Sequence, residues 1–313
     1  MNGRHLAVVG PTASGKSALA LRLAESAGDV EIVSVDSMQV YRGMDIGTAK
    51  PSGAERARIR HHLLDVADPW EEWSVVRFRD DVRRAVREIE GRGARALLVG
   101  GTGLYFRAAV DRLEFPGEDP ALRARLEHEA SDPDGLSRLY DELHEADPVA
   151  ASRIQRGNRR RIVRAWEVIR LTGRPFSSFG PGLAEYGEPV FSLTMVGLRM
   201  PGPVLATRIR ERFSAMRSRG FVDEVRRLLA DHRGLSRTAR QAIGYAEVAA
   251  FLEGRTTEDE AFAAAERRTV RFARRQRKWF ERDPRVRWVE ADDNGASLPA
   301  AVLEHWAPCR SSI

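Results

Sequence analysis

The run Leu6–Ala20, LAVVGPTASGKSALA, restricts the possible folds more than any other stretch of the chain. Gly10-Pro11-Thr12-Ala13-Ser14-Gly15-Lys16-Ser17 fits the pattern G-x-x-x-x-G-K-[ST], a loop that grips phosphate between a strand and a helix. Its flanks agree. Leu6 to Val9 is an apolar run of strand type. Leu19, Leu21, Leu23 and Ala24 recur at helical spacing between Ser17 and Ala27. Such a strand, turn and helix aims backbone N–H groups and the positive end of a helix at an anion. Lys16 is then suited to a phosphate oxygen, and the Ser17 hydroxyl to Mg²⁺.

The next residues keep alternating between strand and helix. Glu31–Asp36 (EIVSVD) reads as a second strand, Val75–Ile89 as an amphipathic helix, and Ala94–Val99 as a third strand stopped by Gly100-Gly101-Thr102-Gly103. This alternation predicts an α/β fold, a P-loop NTPase-like parallel sheet flanked by helices. Ligands of such sheets bind at the carboxyl ends of the strands. Gly10, Asp36 and Gly100 all fall at such ends and are expected to converge.

The texture changes after Pro116. Residues from Asp119 to about Leu171 are highly charged and helical in pattern, and Phe176–Gly187 is rich in Gly, Pro and Ser like a linker. Val190–Leu198 (VFSLTMVGL) and Arg285–Glu290 (RVRWVE) read as further strands. Pro203–Leu229, broken near Gly220, and Asp259–Arg282 read as helices. The expected division is a core of residues 1–115, a helical insertion at 116–185, and a continuation of the core with C-terminal helices at 186–313.

Composition narrows the partners. The chain of 313 residues carries a formal net charge of +6 and a pI near 9.9. Of its 51 basic residues only Lys16, Lys50 and Lys278 are lysines. Arginine forks suit phosphate oxygens and stack on bases, although a GC-rich genome also enriches arginine. A lone cysteine, Cys309, excludes a disulfide framework and suits a reducing cytoplasm. The first strand begins too early to leave room for a signal peptide, and no apolar run is long enough to span a membrane.

A P-loop alone does not define the reaction. An ATPase usually adds an acidic Mg²⁺ partner at a second strand end and a group that positions water. Here the third strand ends in glycines, and Asp36 is the only acid at a clear strand end in this half. Asp36 suits three roles: a Mg²⁺ ligand, a general base toward an acceptor held over the loop, or a turn or helix-cap residue. A P-loop kinase or NTPase acting on a small molecule or on RNA therefore stays open, beside a transferase that uses another phosphorylated donor.

The residues after Asp36 separate these readings. Ser34–Pro51 (SVDSMQVYRGMDIGTAKP) closely resembles the tRNA dimethylallyltransferases, or tRNA isopentenyltransferases, of bacterial type. Further matches follow in order: HHLLD (61–65), LLVGGTGLYFRA (97–108), DPALRARLE (119–127), RRIVRAWEVIRLTGRP (160–175), MRSRGFVDEVRRL (216–228), QAIGYAEV (241–248) and ARRQRKWF (273–280).

The resemblance implies transfer of the dimethylallyl group from dimethylallyl diphosphate to N6 of the adenine 3′-adjacent to the anticodon of tRNA. The cofactor would be Mg²⁺, and the enzyme a cytoplasmic monomer. The P-loop residues Gly10, Pro11, Thr12, Ala13, Ser14, Gly15, Lys16 and Ser17 would hold the donor's diphosphate, with Ser17 on Mg²⁺. Asp36 matches the family's general base, Thr102 a threonine near the same amino group, and Arg212 an arginine on the diphosphate. The segment Asp36-Ser37-Met38-Gln39 matches the one that reads the target base. Arg123, the run Arg160-Arg161-Ile162-Val163-Arg164, and Gln241-Ala242-Ile243-Gly244-Tyr245-Ala246 match segments that contact the tRNA. The helical insertion is thereby expected to be a tRNA-binding subdomain.

Overall fold

The computed structural model describes residues 4–179, 185–291 and 298–306. The chain divides into two compact units, Met1–Asp111 with Glu188–Ile313, and Arg112–Gly187.

The first unit is built on six strands: β1 (His5–Val9), β2 (Val30–Val35), β3 (His61–His62), β4 (Arg95–Gly100), β5 (Leu193–Arg199) and β6 (Val286–Glu290). Their order across the sheet is β3-β2-β4-β1-β5-β6, and every pairing is parallel. The chain leaves β1 past β4 to reach β2, but later leaves β4 past β1 to reach β5. The direction of winding therefore reverses at β1 and β4, which opens a crevice above their carboxyl ends.

β1 and β4 are buried along their whole length, as central strands covered on both faces must be. Alternate residues serve opposite cores. Leu6 and Val8 pack with Leu19, Leu23 and Trp306, whereas Ala7 and Val9 pack with Phe78, Val82 and Phe106. The helix Lys16–Ala27 presents Leu19, Ala20, Leu23 and Ala24 to the first of these cores and stops at Gly28, in the left-handed region at φ 75°.

Two elements differ from the sequence reading. The strand Ala94–Val99 is fourth in chain order, because His61–His62 adds a two-residue edge strand too short for any periodicity to reveal. The segment 237–252 adds two short helices, Arg237–Arg240 and Tyr245–Leu252. The expected break at Gly220 is present, with φ 87° between the helices Gly202–Ser218 and Phe221–Ala230.

The second unit is helical. Pro120–Glu129, Pro133–Ala146 and Pro148–Arg153 each follow an aspartate whose side chain accepts from a backbone N–H of the first turn, and Asn158 caps Arg159–Thr172 likewise. The three Asp-Pro pairs are start signals, since proline at the first helical position has no N–H to orphan. Leu122, Leu126, Leu139, Leu143, Ile162 and Val163 form this unit's own core. Of the expected 176–187 linker, Phe176–Ser178 forms a 3₁₀ turn, and residues 180–184 lie outside the described residues, as does Cys309.

Candidate functional site

The phosphate loop is fixed by backbone shape and by one distant side chain. Gly10 has φ +142°, and a Cβ there would lie 2.9 Å from the carbonyl oxygen of Leu198 on β5. Gly15 has φ +90° and caps the helix Lys16–Ala27. Gln276, buried in the helix Glu258–Phe280, accepts from Thr12 N (2.8 Å) through Oε1 and donates to Gly101 O (2.9 Å) through Nε2. It thus pins the loop after β1 to the end of β4. A Cβ at Gly100 would lie 2.1 Å from Val35 O, so no side chain of any kind fits there. This is the physical reason that β4 ends without a carboxylate.

Three charged groups meet over this loop. Lys16 is buried, and its Nζ donates to Pro11 O (2.5 Å). Burial pulls the Lys16 amine down from its usual value to about 7, a fall that Asp36 opposes and Arg212 reinforces. Arg212 donates from Nη1 to Thr12 Oγ1 (3.1 Å), and burial likewise lowers its pKa against the pull of Asp36. Asp36 is half-buried, and its Oδ1 accepts from Met38 N (2.8 Å). That bond makes an Asx turn rather than a helix cap, and leaves the carboxylate other lone pairs.

Thr12, Lys16, Ser17, Asp36, Gln39 and Arg212 line one cavity of about 520 Å³, with Ile46, Met216 and Phe272 among its apolar walls. Lys16, Lys50, Arg208, Arg212 and Arg219 line it against two carboxylates, Asp36 and Glu55, so basic groups predominate and the cavity suits an anion. The Ser17 hydroxyl is exposed to this cavity together with the Asp36 carboxylate. Oxygen donors of this kind fit Mg²⁺, which keeps several waters and binds through one or two side chains plus substrate phosphate. Among the described residues, no group of three His, Cys, Asp or Glu side chains is gathered as a metal cage.

Other expected site residues are placed differently. Thr102 follows the cavity-lining Gly101 and caps the helix Gly103–Val110 through its backbone, with no side-chain cap bond. Gln39 has both amide hydrogens engaged, by Thr48 O (3.1 Å) and Ala49 O (3.3 Å), while its Oε1 accepts from Ser34 Oγ (2.7 Å). One Oε1 lone pair is all that it retains for a base.

Within the helical unit, Arg160 and Arg161 are exposed, whereas Ile162 and Val163 are buried in its core. Arg123 and Arg164 both pair with the fully buried Glu167 (2.8 and 2.6 Å). In the segment 241–246 only Gln241 is exposed, and Ala242, Gly244 and Tyr245 are buried. Direct side-chain contact with RNA is therefore open to Arg160, Arg161 and Gln241, and closed to Ile162, Val163, Ala242 and Tyr245, whose surfaces the fold consumes.

The sequence reading missed Gln276, and also Glu224, which accepts from three backbone N–H groups of the segment 45–47 and from Tyr245. It missed Lys50 as well. The buried Nζ of Lys50 donates to Tyr41 O, Asp45 Oδ1 (2.7 Å) and Asp65 Oδ1 (2.6 Å).

Comparison with known proteins agrees across the whole length. Residues 39–283 match the model of the family described as IPP transferase, and residues 4–68 that described as isopentenyl transferase. The chain is 49% identical over 311 residues to a tRNA dimethylallyltransferase of Acidothermus cellulolyticus, covering 98% of this chain and 96% of the relative. It is 51% identical over 308 residues to that of Kineococcus radiotolerans, covering 96% and 95%. Among solved structures, the full-length tRNA isopentenylpyrophosphate transferase of Bacillus halodurans matches at 36% identity, with TM-score 0.69 and 96% of each chain covered. A eukaryotic dimethylallyltransferase acting on tRNA matches at 25% identity and TM-score 0.78, covering 96% of this chain and 78% of that one.

Proposed function

The chain belongs to the IPP transferase family of tRNA dimethylallyltransferases, and from that premise we propose that it alkylates N6 of the adenine 3′-adjacent to the anticodon, with dimethylallyl diphosphate as donor. The observation that carries this reading is the single cavity in which Lys16, Arg212 and the P-loop face Asp36. A diphosphate supplies the negative charge that this cavity lacks.

In the proposed reaction, N6 of the adenine attacks C1 of the dimethylallyl group. The N–C bond forms as the C–O bond breaks, and the diphosphate leaves with the electron pair. Lys16, Arg212 and the backbone N–H groups of the loop are fixed before the reaction and stabilise the charge as it grows on the departing oxygen. Bound Mg²⁺, with Ser17 among its ligands, would neutralise diphosphate charge. Asp36 accepts the proton from N6, and the Asx turn to Met38 N holds its carboxylate in place. Thr102 is assigned to the same amino group. Stacking surface and edge contacts for a flipped base come from the segment Asp36–Gln39. Exposed Arg160 and Arg161 supply phosphate contacts from the helical unit, and Gln241 a further contact from the first unit.

No helix among the described residues is long and apolar enough to cross a membrane. Our reading includes a cytoplasmic, monomeric enzyme. The test is incubation with dimethylallyl diphosphate, Mg²⁺ and an unmodified anticodon stem-loop, read by mass for one added five-carbon group and mapped to its base. RNA-stimulated ATP hydrolysis without that mass gain would overturn the proposal in favour of an NTPase.

A further inference from the structure

The stretch Met44–Pro51 (MDIGTAKP) has no role in the reaction derived above, yet it is the most heavily tethered loop of the site. Glu224, 2% exposed on the helix Phe221–Ala230, accepts from Asp45 N (3.0 Å), Ile46 N (2.8 Å), Gly47 N (3.2 Å) and Tyr245 Oη (2.6 Å). All four donors converge on one buried carboxylate. A neutral side chain could not satisfy them, and charge-assisted bonds of this kind are the stronger ones.

Packing gives an independent constraint. A Cβ at Gly47 would lie 2.4 Å from the rings of both Phe221 and Tyr245. The loop backbone therefore rests directly on these two rings, which meet edge to face with centroids 5.0 Å apart. Beyond this anchor the loop turns into the cavity. Ile46, Thr48 and Ala49 line it, and the carbonyls of Thr48 and Ala49 take both amide hydrogens of Gln39.

We propose that Glu224, with Tyr245, is a positioning residue for the acceptor base: it fixes the loop 45–49, and through it the direction in which the Gln39 side-chain oxygen faces the cavity. The inference rests on the acceptor role given above to the segment Asp36–Gln39. It also gives Tyr245 a role that its burial permits. The hydroxyl of Tyr245 ties the segment 241–246, whose Gln241 is exposed, to the loop that orients Gln39.

Glu224→Gln and Tyr245→Phe test it. In the first, an amide N–H₂ must face either the Asp45 and Ile46 N–H groups or the Gly47 N–H, so it meets a backbone donor in both rotamers, and the Tyr245 hydroxyl alone can turn to accept from it. In the second, the ring packing stays and one bond goes. Misplacement of about 1 Å costs on the order of a hundredfold in rate. We therefore expect Glu224→Gln to lower kcat with the stem-loop roughly tenfold to a hundredfold, and Tyr245→Phe by roughly threefold. Affinity for dimethylallyl diphosphate, measured by calorimetry without RNA, should fall by a smaller factor than kcat, since neither variant removes the bond of Lys16 to Pro11 O or of Arg212 to Thr12 Oγ1. Equal losses of donor affinity and kcat, tracking a loss of thermal stability, would reduce Glu224 to a fold-holding residue and overturn the proposal. Unchanged kcat in both variants would overturn it too. If the native protein adds no five-carbon group, the function proposed above fails; if the native protein is active and the variants match it, only this inference does.

Discussion

Lys16 makes a prediction that runs against the usual effect of removing an active-site residue. Its amine is held at about 7 chiefly by burial, whereas in the unfolded chain it titrates near 10.5. The unfolded state then binds more protons than the folded one between these values, so stability rises with pH across that window. At about 1.36 kcal/mol for each tenfold change in proton affinity, the buried amine costs the ligand-free fold on the order of 4 kcal/mol at pH 7 and about 1 kcal/mol at pH 9.5.

Lys16→Met keeps the apolar stem and deletes the charge, at the loss of the bond to Pro11 O, worth about 1 kcal/mol. The variant is expected to be more stable than the native protein by roughly 3 kcal/mol at pH 7, with the gap closing by pH 9.5. Urea slopes reach about 3 kcal/mol/M and grow with chain length, so for 313 residues that is a midpoint shift of up to about 1 M at pH 7. Binding of dimethylallyl diphosphate should vanish in the same variant. The argument fails if Lys16→Met is no more stable at pH 7, or if its advantage does not shrink as pH rises.

Three further outcomes follow from the same geometry. Asp36→Asn keeps the acceptor for Met38 N but cannot take a proton, so single-turnover rates should fall by about 10²–10⁴ with donor affinity retained; near-native turnover would remove Asp36 as the base. Arg161→Ala should reduce the slope of log binding against log salt by about one for the stem-loop, and an unchanged slope would take Arg161 off the RNA surface. Arg123→Ala strips one of two guanidinium partners from buried Glu167, so thermal unfolding should show a loss of about 1–3 kcal/mol, and a stability-neutral variant would show that Arg164 suffices.

The residues that chain periodicity could reach are those at strand ends. Gly10, Asp36 and Gly100 were expected to converge because parallel strands alternate with helices, and the sheet order brings them to one crevice. The polar residues that hold the crevice together were harder to read, since a charged or amide residue in a helix is ordinarily a solvated one. A signal existed. Glu224 lies with Phe221 and Val225 at i, i+3 and i+4, on the buried stripe of its helix. Gln276 sits likewise between Ala273 and Phe280. A polar residue inside an apolar stripe must find partners in the core, but the sequence does not say which. Burial is equally hard to read from the sequence. Ile162, Val163 and Tyr245 lie in segments whose match to a family is strong, and only packing reveals that their side chains are spent on the fold.

The bond from Thr12 to Gln276 spans 264 positions of the chain. During synthesis the P-loop therefore leaves the ribosome 264 residues ahead of the side chain that braces it. β1 also waits for β5, its second neighbour in the sheet, until residue 199 has been added. A growing polypeptide thus carries the phosphate-gripping sequence through all of those residues without the brace that shapes it. Competence to hold a diphosphate arrives together with the helix Glu258–Phe280, so truncated products ending before that helix should lack the braced loop although every P-loop residue is present.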